Sequence, residues 1–133
     1  MRKNRAQVSI EFLVLFAAFL AFLVAWMPVI NSVRAKAENG IDYALARMAA
    51  SDLAYAIDDV CFSGPGNVRM VEVRMRGPEK IIGGNGVVKV VANGRMLAER
   101  KARCAPTFEL AFGGSGAVSV RNEGGGVQVG LAA

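Results

Sequence analysis

The side chains in this sequence that could do chemistry are few and widely spaced. Cys61 and Cys104 are its two cysteines, Glu11 is a lone carboxylate at the start of an apolar run, and Asp58-Asp59 is an adjacent acid pair. Histidine is absent from the 133 residues. That removes the commonest general base, the commonest metal ligand and every Ser/His or Cys/His nucleophile. Two cysteines without a histidine fall short of the four ligands of a zinc site, so neither a metal nor a cofactor is expected. Adjacent residues such as Asp58 and Asp59 diverge by about 100° on a helix, and the pair reads as solvated charge ahead of a helix cap or a calcium contact. The glycine runs Gly83-Gly84-Asn85-Gly86, Gly113-Gly114-Ser115-Gly116 and Gly124-Gly125-Gly126 lack the Lys-Ser/Thr ending of a phosphate-binding loop. None stands between a strand and a helix, and turns between strands account for them. The chain is not expected to be an enzyme.

What must position these residues begins with a long apolar segment. Phe12 to Ile30 is 19 residues without a charge, about the thickness of a bilayer's hydrocarbon core when helical. Arg2, Lys3 and Arg5 precede it and Arg34 and Lys36 follow it, and the denser N-terminal cluster places that end in the cytoplasm and the rest outside. These leading bases also account for three of the five net positive charges. The run is longer than the core of a secretory signal and ends in Trp26-Met27-Pro28 without an Ala-x-Ala-like site, so cleavage on the far side is not expected. Phe12, Phe16, Phe19, Phe22 and Trp26 recur at helical spacing and read as a packing face against lipid or other helices. Pro28 removes one helical hydrogen bond, and a kink or loosening is expected near Val24.

A plain anchor does not explain the polar start, Gln7, Ser9 and Glu11. The stretch Arg5-Ala6-Gln7-Val8-Ser9-Ile10-Glu11-Phe12-Leu13-Val14-Leu15 resembles the class III signal peptide of archaeal type IV pilins, matching the Q-x-S-x-E-x-x-x-L pattern at Gln7, Ser9, Glu11 and Leu15. The resemblance covers about 25 residues, and Ala6 stands where leaders of that family more often carry glycine. It implies that a prepilin peptidase cuts on the cytoplasmic side between Ala6 and Gln7. It further implies a structural filament subunit, moved from the plasma membrane by an assembly ATPase and platform protein into a helical homo-oligomer at the cell surface, in adhesion or surface attachment. Independently of the family, such a cut would create an α-amine at a helix N-terminus one turn from Glu11. A neighbouring subunit's ammonium could then neutralise that carboxylate, which sets register more than it adds stability. Interaction of Glu11 with its own helix dipole is the plainer reading. The alternatives are a membrane-anchored surface binding module, a minor pilin outside the filament shaft, or an archaellin.

Asn31 to Lys36 is polar and Asn39-Gly40 weakens a helix, so a bend or fraying is expected there before the helix resumes. From Ile41 the apolar positions Ile41, Leu45, Met48, Leu53, Ile57 and Val60 return at steps of three to five, an amphipathic pattern rich in alanine. Ser63-Gly64-Pro65-Gly66 ends it. Alternation then takes over in Val71 to Arg76, Val87 to Ala92, Arg95 to Arg103, Phe108 to Phe112, Val118 to Val120 and Val127 to Leu131, with Asn93-Gly94 as a hairpin turn. The fold class is α+β: a long N-terminal hydrophobic helix followed by five or six strands in one small antiparallel sheet, packed on the C-terminal half of the helix, as in type IV pilins. The expected divisions are a leader at 1–6, a membrane or filament-core helix at 7–36, an amphipathic half at 37–62 and a β head at 63–133. The head is small enough to want a staple. A Cys61–Cys104 disulfide would close a loop of 43 residues and contribute about 4 kcal/mol. The oxidising side of the membrane favours it over two separate buried thiols. Arg95, Arg100, Lys101 and Arg103 lie on the hairpin with Glu99 among them and no interleaved aromatics. They read as a solvated strand face or as partners of salt bridges between subunits, and no nucleic-acid partner is expected.

Overall fold

The computed structural model describes residues 3–132, with side chains from Ile10 onward. Helix α1 runs Lys3–Ser63 and is followed by seven strands: β1 (Val68–Val73), β2 (Glu79–Gly84), β3 (Val87–Ala92), β4 (Arg95–Lys101), β5 (Phe108–Phe112), β6 (Gly116–Asn122) and β7 (Val127–Leu131). The fold is α+β, as the sequence pattern implies. The chain divides into two compact units, one ending at Asn39 and the other starting at Gly40. The division coincides with the helix-weakening Asn39-Gly40 pair. Pro28 lies inside α1, and nearby the Ser32 hydroxyl donates to the Val29 carbonyl at 2.8 Å.

In the second unit, α1 buries one face against the strands. Ala46, Ala50, Leu53, Ile57 and Val60 lie at alternating steps of four and three and are at most 1% exposed. That spacing marks a single helical stripe. The small alanines bring the backbone close to the strands, where Val73, Ile81, Val88, Val90, Val118 and Val120 complete the core. The sequence pattern differs from this in one respect. Ile41 and Met48, expected on the buried stripe, point outward together with Tyr55 and Phe62, seven residues apart on the opposite face. Leu45 is half-buried.

The strands form two sheets rather than one, ordered β1-β6-β7 and β4-β3-β2-β5, and all pairs are antiparallel. The chain leaves the first sheet after β1 and returns to it only at β6, so β1 and β2, consecutive in sequence, belong to different sheets. Two hairpins share one device. Asn85-Gly86 and Asn93-Gly94 both take positive φ at both positions (52° and 75°, 50° and 74°), the twist-matched turn for a two-residue loop. Strand β2 is not evident from the sequence, because Gly83 and Gly84 read as loop. The ring of Phe108, paired with Gly83 across the sheet, occupies the place where a Cβ on Gly83 would stand. An aromatic ring on the neighbouring strand thus covers the glycine and allows it inside a strand.

The end of α1 is satisfied locally. Gly64 takes φ 87°, the left-handed conformation that closes helices. Asn67 Nδ2 donates to the carbonyls of Ser63 and Gly64 at 2.8 and 3.0 Å, and Asn122 Nδ2 reaches the Val60 carbonyl at 3.4 Å.

Candidate functional site

The first unit contains the residues singled out by the leader pattern. Ala6, Gln7 and Ser9 lie on α1, and their side chains lie outside the described residues. Glu11 and Leu15 are exposed, and so is every residue from Ile10 to Gly40. The aromatic face is formed of two ring pairs, Phe12–Phe16 stacked with centroids 6.3 Å apart and Phe22–Trp26 tilted at 5.8 Å, with Phe19 between them. Their exposure runs from 68% at Phe12 to 50% at Trp26. The most apolar stretch has a mean hydropathy of 2.6 and none of it is buried by the chain's own residues. By length and composition α1 is long and apolar enough to cross a membrane. Past the apolar stretch, Arg34 Nε and Glu38 form an i,i+4 pair at 2.9 Å.

A helix apolar on all sides is a buried helix, either in lipid or among other helices. What makes this one more than an anchor is its start: residues 4–26 match the family model of the class III signal peptide. The chain carries a class III signal peptide, and with it the support for a type IV pilin-like reading. A signal peptide of this class implies processing by a prepilin peptidase and dealings with a pilus assembly machinery in general. The apolar helix fits a membrane-anchored precursor whose remaining part is exposed at the surface. Comparison with curated proteins and with solved structures yields no significant match. The match ends at residue 26, well before the second unit.

In that second unit, Cys61 at the end of α1 and Cys104 beyond β4 form a disulfide with Cα atoms 6.3 Å apart. The Cys104 N–H also donates to Asp58 Oδ1 at 3.2 Å. Asp59 accepts from Arg69 Nε at 2.7 Å. The adjacent acids thus serve two different strands' neighbourhoods. Among the described residues, no cluster of three or more His, Cys, Asp or Glu could hold a metal ion.

Sequence reading missed one buried feature. Glu79 opens β2 on its inward face, is 6% exposed, and pairs across the sheet with the apolar Ala92 and Phe112. Its Oε2, like Oδ1 of Asp42 on α1, is buried without a hydrogen-bond partner among the described residues. Burial first, and the negative charge of Asp42 second, push the Glu79 carboxyl above its ordinary value of 4.5. The one signal in the sequence is the alternation Glu79, Ile81, Gly83, which puts a carboxylate in register with core positions.

The sign of the pH effect follows directly. Because the folded chain holds the Glu79 proton at higher pH than the unfolded chain, stability falls as pH rises through the raised folded value. The stabilisation is complete below the unfolded value near 4.5. Acidification from neutral pH toward about 5, close to that unfolded value, should therefore raise the unfolding temperature of the full chain in detergent. Glu79→Gln should abolish most of that rise. Equal acid responses in the two proteins, measured by circular dichroism melts, would refute the assignment.

Proposed function

We propose that this chain is a structural subunit, a pilin, of an archaeal type IV pilus-like surface filament that acts in adhesion or surface attachment. Residues 1–6 are the leader, 7–36 the membrane and then filament-core helix, 37–62 the amphipathic half and 63–133 the β head. A prepilin peptidase cuts between Ala6 and Gln7, in the signal motif formed by Gln7, Ser9, Glu11 and Leu15. An assembly ATPase and platform protein then move the mature chain from the membrane into a helical homo-oligomer. The observation that carries this reading is the apolar segment Ile10 to Val33, whose large hydrophobic side chains are all close to half exposed or more. Contacts of that helix with sister helices are the natural replacement for lipid.

Lipid tails and leucine are about equally apolar, so the transfer is nearly balanced in hydrophobic terms. Close packing of Phe12, Phe16, Phe19, Phe22 and Trp26 and the accommodation of Pro28 in the helix then bear on the outcome. So does neutralisation of Glu11, whose carboxylate is costly in an apolar surrounding unless it meets a cation. The new α-amine at Gln7 of a neighbouring subunit, or of the same one, supplies that cation.

Filaments sheared from cells, with a mature N-terminus starting at Gln7, are the expected observation. Glu11→Ala should be cut normally yet enter filaments several-fold less efficiently, read as the ratio of sedimentable to membrane-bound protein. A wild-type chain that starts at Met1 and is recovered only by detergent extraction would overturn the reading. Normal filament yield from Glu11→Ala would remove only the carboxylate from it.

A further inference from the structure

The second unit distributes its charges unevenly. Its acids are largely paired: Asp59 with Arg69, Glu72 with Arg74, Glu99 with Lys89, Glu109 with Lys80 and Glu123 with Arg121. Among the described residues, Arg47, Arg76, Arg95, Arg100, Lys101 and Arg103 form no ion pair, and all six are exposed. Five of the six belong to one flank, β4 and its continuation plus Arg47 on the facing side of α1.

Three adjoining depressions follow that flank. The first, about 360 Å³, has Arg47 on one wall and Met96 to Arg100 on the other. The second, about 550 Å³, lies between Ser51, Tyr55 and Asp58 of α1 and Glu99, Arg100 and Lys101 of β4. The third, about 380 Å³, carries Lys101 and Arg103. Neighbouring depressions share Arg100 and Lys101, so they read as one open groove along an edge strand of seven residues, about 20 Å long.

Three arguments select the occupant. The second unit of a sister copy offers little unpaired negative charge, because Asp52 is its one exposed carboxylate without an ion pair or a hydrogen bond among the described residues. Another strand is a poor fit as well. The pairing of β4 with β3 shifts register between Val90 and Val91 of β3, leaving Leu97 of β4 unpaired, and β4 is lined with cations, two devices that discourage edge-to-edge pairing. A nucleic acid would want successive aromatic platforms, whereas the groove has one ring, Tyr55, 73% exposed. Carboxylates, a serine hydroxyl, one exposed aromatic face and arginines together suit a ligand that carries both hydroxyl donors and negative charges. Arginine's planar fork matches carboxylate and sulfate groups.

We propose that the groove between α1 and β4 binds an acidic glycan, an extended sugar chain carrying carboxylate or sulfate groups. Arg47, Arg100, Lys101 and Arg103 lie along its charges, Tyr55 stacks on a sugar ring, and Ser51, Asp58 and Glu99 meet its hydroxyls.

The test uses the full chain in nonionic detergent, so it does not depend on whether the chain polymerises. Binding is measured to heparin, to polygalacturonate, to neutral dextran and to a single-stranded oligonucleotide of matched charge, over a series of salt concentrations. Retention on heparin or polygalacturonate but not on dextran is expected, lost progressively as salt screens the contacts. Arg100→Ala with Lys101→Ala should weaken binding at least ten-fold. Tyr55→Ala should weaken it about five-fold with an unchanged salt dependence, and Arg121→Ala, outside the groove, should leave it as it is. All these side chains are exposed, and unchanged melting curves check that the variants fold. No retention on either glycan, full retention by the double variant, or an oligonucleotide that competes as well as the glycans would each overturn the proposal.

Discussion

Replacing Cys61 and Cys104 together by serine is expected to lower the stability of the second unit by about 4 kcal/mol, the chain-entropy value for a loop of this length. The sequence separation is 43 residues, so the crosslink removes a large share of the freedom of the unfolded chain. It also acts at a sensitive place. Cys61 ends the buried stretch of α1, and Cys104 follows the edge strand β4, whose outer side has no further strand to hold it. Both cysteines pack against the core, and the Cys104 N–H bond to Asp58 holds the same junction. For a domain of this size, each kcal/mol corresponds to about 4–8 °C in melting temperature. Thermal unfolding of the full chain in detergent, with and without reductant, should thus show a drop of roughly 15 °C or more on reduction, matched by the double serine variant. A drop of only a few degrees would mean that α1 and β4 are held together by the apolar core alone.

The second large effect concerns that core. Leu53→Ala is expected to cost about 3 kcal/mol, the usual range for removing a fully buried leucine side chain being about 2–5 kcal/mol. Leu53 is 0% exposed and belongs to the stripe by which α1 meets both sheets. Two of its four companions on that stripe are Ala46 and Ala50, which have no longer side chain with which to fill the space. Met48→Ala, on the outward side of the same helix, should change stability by less than about 0.5 kcal/mol, as exposed positions do. Comparing the two melts measures the asymmetry of the helix. Equal losses would indicate that the outward stripe Ile41, Met48, Tyr55 and Phe62 is covered in the protein as purified.

The long helix and the strands that follow it were legible in the sequence because they rest on local chemistry. A run of 19 uncharged residues specifies a helix that must find lipid or other helices, and a Q-x-S-x-E-x-x-x-L pattern marks its start. Asn93-Gly94 specifies a tight hairpin through its tolerance of positive φ. Asn85-Gly86 carries the same signal, yet β2 before it was hidden by Gly83 and Gly84. Their strand conformation depends on the ring of Phe108, which lies far along the chain and beyond two further strands.

What the sequence by itself determined is therefore the order of elements, the α+β class and the apolar helix with its signal motif. Only the tertiary structure decided that the strands part into two sheets and that α1 turns Ile41 and Met48 outward while Ala46 and Ala50 face the core. It also decided that Glu79 is buried near Asp42, and that Arg47 joins the bases of β4 along one groove while Glu99 is drawn to Lys89 on the neighbouring strand. The reason is physical. Hydropathy, turn propensity and motif spacing act among residues close in sequence. Strand partnership, burial of a charge and the pairing of one cation rather than another are set by residues far apart in the chain, which meet only when the core closes.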